Sequence, residues 1–287
     1  MARRMNEMSG QILGSEIRPI AEGRTAELYR WGDDRVLKLY RSGSSPDYVR
    51  REARVSQIVC RANLPAPSVY ASDRDDGLLE VGGRLGILYE WIDGPTMLRD
   101  VASRPWVLVP HSKTFAALHA QVHSVSGEGL PDLRERIRRA IDGAAEWVSE
   151  DLRVAAHAAL DRLPEAHRVC HGDFHPDNIL LGDRGPVIVD WGPASAGHPA
   201  ADVAWTILLF RFAGSPVGAP LPVRAFVKWL GAIALRIYLR TYSELTGTTR
   251  AEIGRWLGVI AVLRLADRIP EERDALVRLV HRQLGAA

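Results

Sequence analysis

The stretch His171-Gly172-Asp173-Phe174-His175-Pro176-Asp177-Asn178-Ile179-Leu180, running on to Val187-Ile188-Val189-Asp190-Trp191, constrains this chain more than any other feature. A short polar loop carries an Asp and, five residues later, an Asn. An apolar run of β character then delivers another Asp. Phosphoryl transfer from a nucleotide needs these groups: one carboxylate to meet the attacking hydroxyl, and an amide oxygen plus a second carboxylate to hold divalent metal on the phosphates.

The same residues, H-G-D-F-H-P-D-N followed by V-D-W, resemble the catalytic and metal-binding motifs of the aminoglycoside phosphotransferase family, which is similar in fold to protein kinases and choline kinases. The match is specific because several fixed residues agree in order and spacing; a lone His-Gly-Asp would mean little. The resemblance implies an α+β, protein-kinase-like two-lobed fold, with a small β-rich N-terminal lobe holding one key helix and a larger, mainly helical C-terminal lobe. It assigns residues 1–92 to a nucleotide-binding lobe and 93–287 to a catalytic and substrate-binding lobe. It also makes Asp173 the catalytic carboxylate and Asn178 and Asp190 ligands of Mg²⁺, with ATP or GTP as phosphoryl donor.

Composition narrows the partners. A chain of 287 residues can bury one large core or two modest ones. Its 37 basic and 35 acidic side chains nearly balance, so no nucleic-acid footprint is visible. Cys60 and Cys170 are the only cysteines and neither lies in a CxxC, which speaks against a zinc site or a disulfide framework. Cys170 reads as a buried thiol. The segment Met1 to Gly10 is polar and lacks the apolar region of a secretory signal. No uncharged apolar run approaches membrane-spanning length. The expected setting is the reducing cytoplasm, and the expected partner is a small molecule bearing a hydroxyl.

In the first lobe, Ile17 to Ile20, Ala26 to Arg30 and Arg35 to Tyr40 read as short strands between Gly-containing turns. The turn Glu22-Gly23-Arg24-Thr25-Ala26 has a single Gly. By the resemblance it sits where the phosphate-covering loop lies, with backbone amides around Gly23 and the Thr25 hydroxyl facing phosphate. Lys38 lies between Leu37 and Leu39, and a Lys inside an apolar strand needs a partner or a water-facing side. The resemblance makes it a phosphate-contacting lysine paired with Glu52, on a helix that Pro46 opens. A hairpin follows, Gly77 to Val81 and Leu85 to Ile92 around Gly82-Gly83, and ends at the breaker Asp93-Gly94-Pro95. There the family pattern places the base against the Glu90 carbonyl and the Ile92 amide.

Helical periodicity dominates from Thr96 onward. The expected helices run from about Ser112 to Val125, Leu133 to Val148, Asp151 to Leu163, Val203 to Phe212, and along stripes from Val223, Ile253 and Leu276; Gly214 to Pro222 reads as a loop. His119 and His123 sit four apart without a third ligand nearby in sequence, so hydrogen bonding or packing explains them better than zinc. Asp202, early in its helix, reads as a helix cap or a grip on the catalytic-loop backbone. His171 reads as a loop anchor, and His175 as a surface residue or a substrate contact.

A polycationic aminoglycoside would require several carboxylates. Glu146, Glu150 and Asp151, or Glu271, Glu272 and Asp274, are the candidates, with arginines interspersed. Aminoglycosides, other antibiotics and metabolites such as amino alcohols, sugars or homoserine-like compounds therefore all stand as acceptors. A nucleotide-binding pseudokinase is disfavoured by the joint presence of Lys38, Glu52, Asp173, Asn178 and Asp190. A protein kinase is disfavoured by the brief segment after Asp190.

Overall fold

A computed structural model describes residues 18–23, 25–70, 78–212 and 220–285. Met1 to Ile17, Arg24, Gly77 and most of the Gly214–Pro222 segment lie outside the described residues, so the readings made on them stand only as expectations. The chain divides into two compact units. Unit 1 comprises Met1–Thr96 and Asn178–Pro193; unit 2 comprises Met97–Asp177 and Ala194–Ala287. The segment Asn178–Pro193 thus clusters with the N-terminal residues, although it lies far beyond residue 92 in sequence.

Unit 1 is built on a six-stranded sheet: β1 (Ala21–Glu22), β2 (Ala26–Trp31), β3 (Arg35–Tyr40), β4 (Val69–Tyr70), β5 (Leu78–Val81) and β6 (Arg84–Glu90). Its order is β1-β2-β3-β6-β4, with β5 pairing β6, and every pairing is antiparallel. The first strand was expected over Ile17 to Ile20; it forms instead at Ala21–Glu22, past Pro19, which has no N–H to give a ladder. The β5–β6 turn is Gly82-Gly83, with φ of 59° and 73°, the left-handed pair that a two-residue hairpin needs. The strand alternation buries Trp31, Leu37, Leu39 and Leu88 together. A second cluster joins Tyr40 and Ile87 to Val49 and Ala53 of helix α1 (Pro46–Arg61). That helix begins with Pro, where a missing N–H costs nothing, and buries Val49, Glu52, Ala53, Ser56 and Val59 at helical spacing.

A small hairpin, β8 (Ile179–Gly182) with β9 (Gly185–Ile188), completes unit 1. The Asp93-Gly94-Pro95 breaker runs against it, and the Leu181 amide donates to the Pro95 carbonyl at 2.9 Å. Gly94 has φ of 153°, and a Cβ there would sit 2.1 Å from the Leu181 carbonyl oxygen. Because that neighbour is backbone, Gly94→Ala is expected to lower stability by about 1–3 kcal/mol, as overpacking does. Urea unfolding measures this, and an unchanged midpoint would contradict the close approach.

Unit 2 is helical: α2 (Met97–Ser103), α3 (Leu108–Ser124), α4 (Leu133–Asp142), α5 (Glu150–Arg162), α6 (Pro199–Phe212), α7 (Leu221–Thr246), α8 (Arg250–Leu265) and α9 (Pro270–Leu284). Strands β7 (Arg168–Cys170) and β10 (Ser195–Gly197) pair antiparallel. Helix α3 starts a turn earlier than the periodicity suggests, because Pro110 falls in its first turn, where Pro is tolerated. Helix α4 stops at Asp142 rather than Val148; Gly143 caps it and turns follow. Helix α7 extends to Thr246, beyond its Val223-to-Tyr238 stripe. A Thr249–Glu252 capping box opens α8, whose Ile253, Trp256, Val259, Ile260 and Leu263 are core. No described helix is long and apolar enough to cross a membrane.

Candidate functional site

In unit 1 the predicted lysine has two carboxylate partners. Lys38 Nζ donates to Glu52 Oε1 at 2.6 Å and to Asp190 Oδ1 at 2.9 Å. Residues from β3, from α1 and from 152 positions downstream therefore converge on one ammonium. Burial pushes the lysine toward neutrality, but Glu52 and Asp190 outweigh it and raise its pKa, so it stays charged. Tyr89, which the sequence reading passed over, places its hydroxyl 3.1 Å from Ser56 Oγ and 3.5 Å from Glu52 Oε1.

Local structure sets Asp190 at the edge of this group. Trp191 is buried and its indole N–H donates to the Ile188 carbonyl, which pins the end of β9. Asp190 between them takes φ of 63°, a left-handed conformation uncommon for a residue with a side chain and typical of functional loops. The Val189 amide donates to the Asn178 carbonyl at 2.9 Å, tying the Asn178 turn to the Asp190 segment. An Asn amide oxygen and an Asp carboxylate are hard donors. This set fits Mg²⁺ and offers nothing to a thiophilic metal.

The other predicted nucleotide contacts are also in unit 1. Gly23 and Thr25 form the β1–β2 turn: the Gly23 amide donates to the Ala26 carbonyl, Arg41 reaches the Gly23 carbonyl with its side chain, and the Arg41 amide reaches the Thr25 carbonyl. Glu90 closes β6, with its carboxylate on Ser68 and Arg184. The hairpin strand ends there and not at Ile92, which lies against Gly182. Arg30 covers the Trp91 ring at 4.0 Å.

Unit 2 holds Asp173. Gly172 before it has φ of 74°, open to glycine at no steric cost. The Asp173 amide donates to His171 Nδ1 at 3.2 Å, so the buried His171 anchors the loop as expected. Burial pushes the Asp173 carboxyl up, yet His175, His171 and Arg264 together hold it below its ordinary value, leaving it a carboxylate at neutral pH. His175 Nε2 lies 3.5 Å from Asp173 Oδ2. Arg264 was not singled out in sequence; it is buried in a two-point pair with Glu272 at 2.8 Å and also bonds Asp267. Cys170 is buried and burial raises its thiol, so it is no nucleophile.

The loop's backbone is gripped by Asp202 of α6. Its Oδ2 accepts from the His171 amide at 2.5 Å and its Oδ1 from the Gly172 amide at 2.8 Å. His119 and His123 bring Nε2 to the same carboxylate at 3.0 and 3.2 Å, while their Nδ1 atoms meet the Tyr238 and Tyr242 hydroxyls at 2.7 Å. The third group absent near the histidines in sequence is thus supplied by the fold. Among the described residues His119, His123 and Asp202 have metal-like spacing, but each of these atoms is already hydrogen-bonded, and the group is a polar hub. Matching four-residue spacings, His119/His123 and Tyr238/Tyr242, were the signal available in sequence.

Burial, and the charge of His123, outweigh Asp202 and lower the His119 pKa from 6.5 to about 3. Between those values the unfolded chain binds a proton that the folded chain refuses. The stabilisation is therefore complete above pH 6.5 and is lost as pH falls toward 3, by up to about 1.4 kcal/mol per pH unit for one site. Urea melts at neutral and mildly acidic pH test this: His119→Gln should flatten the pH dependence, and equal slopes in both proteins would refute it.

Comparison with known proteins agrees with this architecture. Residues 16–236 match the family model described as the phosphotransferase enzyme family, APH. The fold is similar to aminoglycoside phosphotransferase APH(4)-Ia, with 18% identity, all of both chains covered and a TM-score of 0.61. It is similar to amicoumacin kinase hAmiN in complex with AMP-PNP, Ca²⁺ and Ami, at 12% identity over 94% of this chain and 88% of that one, TM-score 0.60. The GDP and kanamycin complex of APH(2")-IIia gives 14% identity over 94% and 91% of the chains, TM-score 0.56. No curated protein matches the chain by sequence. By its motif-bearing segments, its fold and the extent of the family match, the chain belongs to the APH phosphotransferase enzyme family.

Proposed function

We propose that this protein transfers the γ-phosphate of ATP to a hydroxyl of a small molecule, with an aminoglycoside, another antibiotic or a hydroxylated metabolite as candidate acceptors. The observation that carries the reading is the Lys38 ammonium held at once by Glu52 and Asp190. A half-buried strand lysine with that pair of partners suits nucleotide phosphates: Glu52 fixes its position, and Asp190 is free to exchange the ammonium for metal. Nucleotides and divalent metal accompany similar proteins, as AMP-PNP with Ca²⁺ in the amicoumacin kinase and GDP in an APH(2") enzyme.

Asp173 accepts the proton of the acceptor alcohol as its oxygen forms a bond to the γ-phosphorus and the bond to the bridging oxygen breaks, releasing ADP. Asn178 and Asp190 would hold Mg²⁺, which offsets charge on the phosphate oxygens. Lys38 neutralises the non-transferred phosphates, the Gly23–Thr25 turn faces them, and the Glu90 carbonyl and Ile92 amide receive the base. GTP is the alternative donor. Catalysis of this kind is positioning and electrostatics. The reducing cytoplasm, where ATP is abundant, is the setting that fits.

The test is acceptor-stimulated ADP release over a panel of alcohols with Mg²⁺ and ATP. Asp190→Ala is expected to remove the Mg²⁺-dependent turnover, by about 10- to 100-fold or more as loss of a metal-site group does. Unchanged turnover in that variant would contradict the metal assignment.

A further inference from the structure

Across the β3–β6 ladder Lys38 stands opposite Ile87 and Val36 opposite Tyr89. Strand alternation therefore puts Lys38 and Tyr40 of β3 on the same sheet face as Ile87 and Tyr89 of β6. Helix α1 covers that face: Tyr40, Ile87, Val49 and Ala53 form an apolar layer, with Tyr89 packed against it. Into this layer α1 also sends Glu52 and Ser56, one helical turn apart and only 1% and 2% exposed. A carboxylate so enclosed is costly unless the fold supplies its partners.

Those partners meet at Glu52 Oε1, which accepts from Lys38 Nζ at 2.6 Å and from the Tyr89 hydroxyl at 3.5 Å. The same hydroxyl lies 3.1 Å from Ser56 Oγ. Burial and the Glu52 charge push the Tyr89 phenol up, so it stays a proton donor at neutral pH. Its one proton goes to the carboxylate, and Ser56 donates in turn to the phenol oxygen, a chain in which each bond polarises the next. Glu52 Oε2 is buried without a hydrogen-bond partner among the described residues, and a Cβ at Gly192 would sit 2.6 Å from it. The carboxylate is thus confined at both oxygens, bonded at one and against bare backbone at the other.

Lys38 depends on that confinement. Its second partner, Asp190, is 45% exposed and is the one proposed to turn to metal, which leaves Glu52 to keep the ammonium in place once nucleotide arrives. Given the phosphotransferase reading above, on which this inference rests, we propose that Tyr89, backed by Ser56, is a positioning residue: it fixes the Glu52 carboxylate that holds Lys38 at the nucleotide phosphates.

Mg²⁺·AMP-PNP is the probe, titrated calorimetrically into the wild type, Tyr89→Phe, Glu52→Gln and the double variant; no acceptor is needed. Tyr89→Phe keeps the ring and removes the hydroxyl, and Kd should rise about tenfold, the low end for losing a hydrogen bond to a charged group. In the Glu52→Gln background the same substitution should change Kd by less than about twofold, because a residue that acts through another is not additive with it. Ser56→Ala, which leaves Tyr89 in place, should raise Kd about threefold, the scale of a neutral hydrogen bond. An unmoved Kd in Tyr89→Phe overturns the proposal. So does an equal loss in both backgrounds, which would mean that Tyr89 supports the lobe or the base rather than the ion pair. Where Glu52→Gln binds too weakly to measure, or Tyr89→Phe does not fold, Ser56→Ala decides, and an unchanged Kd there counts against the chain of hydroxyls. A wild type that binds no Mg²⁺·AMP-PNP sinks the phosphotransferase reading itself; one that binds while Tyr89→Phe binds equally well sinks only the role given to Tyr89.

Discussion

Asp173→Ala should cut acceptor phosphorylation by about 10²- to 10⁴-fold, the usual range for a positioned general base, while ATP still binds. The side chain is half-buried and its carboxyl is held below its ordinary pKa, so at neutral pH it is ready to receive a proton. The groups proposed to hold nucleotide, Lys38, Glu52 and Asp190, belong to unit 1 and keep their mutual bonds in the variant. Asp173→Asn sharpens the test, because it preserves size and removes only the basicity. Stopped-time ADP assays give turnover, and a fluorescent ATP analogue gives binding. Near-normal turnover in both variants would end the assignment; loss of nucleotide binding along with turnover would mean that Asp173 shapes the loop rather than the chemistry.

The largest stability effect is expected at Asp202. Its buried carboxylate accepts from two backbone amides and two imidazoles. Asp202→Ala strands all four donors, three of them on buried residues, and removing one partner of such a buried charged network costs about 3–5 kcal/mol. Asp202→Asn retains the volume but trades one acceptor oxygen for a donor, which should cost about 1–3 kcal/mol. Urea unfolding at neutral pH measures both. Because the stranded amides belong to His171 and Gly172, turnover should fall in the folded fraction of either variant. A loss as small as a typical surface substitution, within about 0.5 kcal/mol, would show that the hub is not what orders the loop.

The acceptor question shows how differently two kinds of information are written in this chain. Acid clusters at 146–151 and 271–274 read in sequence as places for a polycation. Folded, Glu150, Glu272 and Asp274 each bond an arginine, and only one of these arginines lies beyond the next helical turn. Conversely, the stripe from Val223 reads as helix core, as most apolar stripes are, yet its first turns stand in solvent. Periodicity reports which residues share a face; it does not report what covers that face.

What the sequence by itself determined is local: Asp173, Asn178 and Asp190 at fixed spacing, the helix opened by Pro46, and the Gly82-Gly83 hairpin. These rest on backbone stereochemistry and short-range hydrogen bonding, which a few neighbouring residues specify. The tertiary structure decided the rest: that Lys38 bonds Asp190 across 152 positions, that Asp202 joins a histidine pair to the backbone of the loop bearing Asp173, and that Tyr238 and Tyr242 close the hub. Such contacts depend on which helix faces pack together. Buried polar groups that must all find partners select that packing only once the whole chain has folded.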